Sequence, residues 1–77
     1  MSKITREQFF RLGHQAENKD VLPVLVQLVL DVAYRHISSG RWTHGKPIEL
    51  YMQDDIPCIR YQDEQCWHYD VIHGTWY

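Results

Sequence analysis

From Val21 to Tyr34 the sequence holds only Gln27 and Asp31 as polar side chains in 14 positions. At about 100° per residue, Gln27, Asp31 and Ser38 fall on one narrow stripe, and Arg35 follows Asp31 by four as its surface partner. Val21, Leu22, Leu25, Val26, Leu28, Val29, Leu30, Val32, Ala33, Tyr34 and Ile37 then spread over an arc of roughly 240°, where a helix that only roofs a core needs roughly 100°. The pattern predicts one buried helix from Asp20 to Gly40. Asp20 is the expected N-cap, Pro23 falls in the first turn, and Gly40 after Ser38 and Ser39 is the expected left-handed stop. One sheet cannot cover so wide an arc, so a second helix or another subunit is expected to share it.

Upstream, Thr5 and Gln8 have the spacing of a capping box, and Ile4 and Phe9 that of a hydrophobic staple. A first helix therefore starts at Ile4 or Thr5 and continues through Leu12. Gly13 is expected to end or weaken it, which places its end between Leu12 and Glu17. Phe9 or Phe10 is expected against Leu22 or Val26. Glu17 to Lys19 reads as a polar link, and Gly45 and Pro47 mark 41–47 as a loop.

From Lys46 the apolar period changes to two, the signature of strands. A two-residue turn at Asp54 and Asp55 sets Ile48 opposite Tyr61, Leu50 opposite Ile59 and Met52 opposite Pro57. On the other side it pairs Glu49 with Arg60 and Tyr51 with Cys58. A three-residue turn at Asp63, Glu64 and Gln65 continues the apolar side, with Tyr61 opposite Trp67, Ile59 opposite Tyr69 and Pro57 opposite Val71. Pro57 cannot donate to the ladder, so the sheet should be ragged there. Thr75 to Tyr77 form a short last strand or lie across the core. The expected fold is α+β: two N-terminal helices, the second long and apolar, packed on one face of a three- or four-stranded antiparallel β-meander, in a single domain spanning residues 1–77.

Charge and length narrow the function. A net charge of −2 gives no general attraction to nucleic acid or anionic membrane. The 14-residue apolar run falls short of the roughly 20 residues that span a bilayer. Lys3, Arg6 and Glu7 leave no room for the apolar region of a signal peptide, so a cytoplasmic location is expected, with both cysteines as free thiols.

With the inner side turned to the helices, the outer side presents Glu49, Arg60 and His68 in one row and Tyr51, Cys58 and Asp70 in the next. Aromatic, imidazole, guanidinium and carboxylate groups on an uncovered face suit a protein partner. Trp42, between Arg41 and His44, joins this site if it is a recognition anchor; alternatively it closes the end of the core. A plain solvated face is the competing reading, in which a Glu49–Arg60 pair contributes at most about 1 kcal/mol.

Catalysis is not expected. Cys58, His68 and Asp70 are the ingredients of a thiol triad, but no oxyanion hole or dry pocket accompanies them. Cys58, Cys66, His68 and His73 are four zinc-type donors whose spacing matches no usual finger, and the register separates Cys58 from the rest. No metal or cofactor is therefore expected. The turns Asp54-Asp55 and Asp63-Glu64 would repel phosphate, which disfavours nucleic acid. The expected function is a small non-enzymatic protein-binding module: an accessory protein, adaptor or inhibitor of a larger protein or nucleoprotein complex, the phage- or plasmid-borne inhibitors being often of this size. The second reading is a homodimer formed through the 20–39 helix, with the sheet face binding nucleic acid or a small ligand.

Overall fold

A computed structural model describes residues 4–77, so Lys3 lies outside the described residues. The first helix, α1 (Arg6–Gln15), begins with the expected capping box. The Gln8 N–H donates to the Thr5 hydroxyl at 3.1 Å, and the Thr5 N–H donates to the Gln8 side-chain oxygen at 3.0 Å. Gly13 does not end the helix. It lies against α2 (Pro23–Ser38), where a Cβ would stand 2.4 Å from a methyl carbon of the buried Leu30. Glycine is there because the Leu30 side chain fills the space that a Cβ would take.

The helices run antiparallel. Phe9 meets Tyr34 with ring centroids 6.1 Å apart, and His14 meets Gln27 at 3.2 Å. This direction corrects the expected pairing of Phe9 with Leu22 or Val26, because the start of α1 lies over the end of α2. Arg6 reaches Asp31 at 3.1 Å, and Asp31 also receives Arg35 at 2.8 Å.

Both ends of α2 differ from expectation. Its N-cap is Leu22, which offers no side-chain hydrogen bond, and Pro23 opens the first turn as expected. Asp20 is instead the left-handed residue of a tight turn, with φ of 66°. Asn18 clamps that turn, accepting from the Val21 N–H at 2.7 Å and donating to the Val21 carbonyl at 3.0 Å. An Asx side chain that can close a turn on the backbone competes with capping, and here Asn18 takes that role. At the other end Ser39 is right-handed, and its N–H and hydroxyl both donate to the His36 carbonyl. Gly40 is not in the left-handed region.

The sheet has five strands in the order β1 to β5: β1 (Glu17–Asn18), β2 (Pro47–Gln53), β3 (Ile56–Tyr61), β4 (Cys66–Asp70) and β5 (Thr75–Trp76). The segment expected as a polar link is thus an edge strand, parallel to β2 and pairing Glu17 with Glu49 and Asn18 with Leu50. The remaining pairs are antiparallel. Asp54 and Asp55 both take positive φ, 51° and 65°, as a two-residue hairpin turn requires. Leu50–Ile59, Met52–Pro57, Glu49–Arg60 and Tyr51–Cys58 pair as derived from the sequence. Ile48 does not face Tyr61: an irregularity between Pro47 and Glu49 puts the buried Pro47 opposite that ring instead.

The second hairpin is displaced by two residues from the expected register. Cys58 pairs with His68, Ile59 with Trp67 and Arg60 with Cys66. Its loop is still three residues, but these are Gln62, Asp63 and Glu64, closed by the Tyr61 N–H donating to the Gln65 carbonyl at 2.9 Å. Glu64 supplies the left-handed position with φ of 72°. The β3–β4 ladder stops at Cys58, one residue short of Pro57, as its missing N–H requires.

The core lies between the two helices and one face of the sheet. Phe9, Val29, Leu30, Ala33, Leu50, Ile59, Tyr61 and Tyr69 are fully enclosed, with Met52, Trp67, Val71 and Trp76 packed against them. Most of the wide apolar arc of α2 is covered in this way; Leu22, Val24 and Leu28 remain exposed at 67%, 69% and 48%. No helix among the described residues is long and apolar enough to cross a membrane.

Candidate partner-binding face

Both helices pack on the inner face of the sheet, and among the described residues no element forms a layer over the outer face. One half of that face is a charge lattice. Glu49, on β2, accepts from Lys19 at 3.1 Å and from Arg60 on β3 at 3.2 Å, and Arg60 continues to Glu64 at 3.0 Å. Lys19 also reaches Glu17 at 3.6 Å. The Lys19 ammonium, then the Arg60 guanidinium, hold the Glu49 carboxyl below the usual carboxylate range. The Glu49 side chain is only 14% exposed, so its partners fix it in place.

The other half is aromatic and sulfur-rich. Tyr51 pairs across the strands with Cys58, and Cys58 in turn with His68. The imidazole of His68 stacks on Tyr77, with centroids 4.8 Å apart and planes 6° from parallel, and meets the Gln53 side-chain oxygen at 3.2 Å. Tyr77 is held there by reciprocal backbone hydrogen bonds with His68, at 2.9 and 3.1 Å. Cys66 is exposed, whereas Cys58 is fully buried, and both thiols are free. Burial, then the nearby Cys66, push the Cys58 thiol up to about 11, so it is protonated at neutral pH. Burial, then a contact with Cys66, also raise the Tyr51 hydroxyl.

The register displacement changes which expected site residues meet. His68 lies beside Cys58 rather than beside Arg60, and Cys66 takes the place opposite Arg60. Asp70 faces outward but serves its own turn. One oxygen accepts the N–H groups of Ile72 and His73, both at 3.0 Å, and the other meets His73 Nδ1 at 2.7 Å. The hydrogen bond with the His73 ring, then that from its backbone, hold the Asp70 carboxyl low. With His73 tied to Asp70, the four zinc-type donors do not converge, and among the described residues no group of three or more His, Cys, Asp or Glu has a metal-binding arrangement.

Trp42 lies at the end of the core. Its indole N–H donates to the Gly45 carbonyl at 2.8 Å, and its ring meets Tyr61 edge-on at 4.8 Å. It also touches His36, a residue that pattern reading passed over. His36 is buried, with its ring 5.0 Å from Trp42, 4.4 Å from Trp67 and 4.7 Å from Trp76, the last in a stacked arrangement. All three tryptophans of the chain thus converge on one imidazole. The signal was available: residues 29, 32, 33, 36 and 37 form one helical face, and His36 falls within it between Val32 and Val29. Tyr77 and Gln53, which support His68, were also missed, because only the observed strand ends place them.

Comparison with protein-family models, with curated proteins and with solved structures finds no match to this chain.

Proposed function

We propose that this chain is a small non-enzymatic protein-binding module, an accessory protein, adaptor or inhibitor of a larger protein or nucleoprotein complex, acting in the cytoplasm through the outer face of its sheet. One observation carries the reading: the outer sheet face carries Tyr51, Cys66, His68 and Tyr77, the last 60% exposed, alongside the Glu49–Arg60 lattice. Aromatic and imidazole groups beside an arginine on one open face are the composition of a protein interface. A buried thiol held protonated offers no activated nucleophile, which is consistent with binding rather than covalent catalysis. The test is capture of a partner by the folded wild-type chain and by the Arg60→Glu, Tyr51→Ala double variant. Loss of the captured protein supports the face, and unchanged capture by the folded variant removes it.

A homodimer through α2 is the second reading, favoured by the exposure of Val24 and Leu28, four residues apart on one face of α2, with Leu22 exposed at its N-cap. Light scattering separates the two: this reading requires a dimer in the wild type and a folded monomer after Leu28→Asp.

A further inference from the structure

Between the start of α1, the end of α2 and the 41–46 loop lies a cleft of about 170 Å³, walled by Phe9, Leu12, Ile37, Trp42 and Pro47. Its wall is almost wholly apolar, and the one indole N–H it contains is already committed to the Gly45 carbonyl. Lys46 also borders the cleft, is exposed, and makes no ion pair among the described residues. The acidic groups of the adjoining hairpin are engaged elsewhere, Asp63 with His44 and Glu64 with Arg60. An apolar cavity of roughly 150 Å³ accepts a benzene-sized molecule, and a single well-placed charge then sets its orientation.

We propose that this cleft binds a small aromatic carboxylate, with the ring among Leu12, Ile37 and Trp42 and the carboxylate on the Lys46 ammonium. The site lies apart from the outer sheet face and does not depend on that face being an interface. One aromatic ring matches the volume, and the unpaired ammonium selects an acid over an amine of the same shape.

The test is an NMR titration of the ¹⁵N-labelled full chain with phenylacetate and, separately, with 2-phenylethylamine. Phenylacetate should give saturable shifts centred on the amides of Leu12 and Ile37 and on the Trp42 indole N–H, with the amine about tenfold weaker. In Lys46→Glu, an exposed change that leaves the cleft wall intact, the ranking of the two probes should reverse. Equal binding of acid and amine, shifts that do not saturate or lie elsewhere, or a ranking unchanged in Lys46→Glu would overturn the proposal.

Discussion

The ring of His36 is hydrogen-bonded through Nδ1 to the Tyr69 hydroxyl at 2.9 Å, and Tyr69 is hydrogen-bonded in turn to Tyr61. Burial, then the nearby His44, lower the His36 pKa from 6.5 to about 4. The folded state therefore holds this ring neutral while the unfolded chain would take up a proton. Stability contributed by neutral His36 is fully present above pH 6.5 and is lost as pH falls toward about 4. The loss over that window is on the order of a few kcal/mol. Glu49, Asp63 and Asp70, held below their ordinary values, add acid sensitivity only below about pH 4.5. Urea midpoints at pH 5 and pH 7 check this, and the difference between them should shrink in His36→Phe.

Gly13→Ala should destabilise the protein although alanine is the better helix former. The new methyl would meet Leu30 side-chain carbons at 2.4 and 2.7 Å inside a filled core. Overpacking of this kind costs about 1–3 kcal/mol, more than the roughly 1 kcal/mol gained in helix propensity. A melting temperature lower by several degrees is the expected readout.

Leu28 and Leu30 are two residues apart and should behave oppositely. Leu30 is fully buried, so Leu30→Ala should cost about 2–5 kcal/mol. Leu28 is 48% exposed, and Leu28→Asp should leave the isolated fold within about 1 kcal/mol of wild type. Paired denaturant titrations compare them directly.

The two thiols should differ in reactivity. Cys66 is exposed, whereas Cys58 is buried and its pKa is raised to about 11. A thiol reagent at pH 7 should label one cysteine rapidly and the second only as the sheet opens, a difference that added urea abolishes.

Much of this fold can be read from alternation, turns and caps, and its misreadings have definite causes. The first hairpin came out right from Glu49 to Met52 because a two-residue turn and the apolar period together leave one register; Ile48 did not, because the irregularity beside Pro47 leaves no trace in that period. The second did not, because a shift of two residues keeps every side chain on its face, so Trp67 and Tyr69 face the core in either register. Only the left-handed Glu64 marks the observed turn, and glutamate carries no signal for that conformation. β1 is two residues long and pairs with a strand distant in sequence, so no local pattern announces it. Of the residues expected on the binding face, Glu49, Tyr51, Arg60 and His68 were legible from parity alone. The turn role of Asp70 and the burial of Cys58 depend on neighbours that parity does not place.

The most direct test of the outer face uses the protein's own exposed thiol. A benzophenone maleimide attached at Cys66, which leaves the buried Cys58 unmodified, places a photo-crosslinker beside Arg60 on the proposed interface. Irradiation in native cell extract should give one discrete adduct that disappears with Arg60→Glu and Tyr51→Ala. The same probe moved to α2 through Leu28→Cys with Cys66→Ser should give none. An adduct formed only from the α2 position, with the Cys66 probe silent, would contradict the assignment of the sheet face and transfer the interface to the helix.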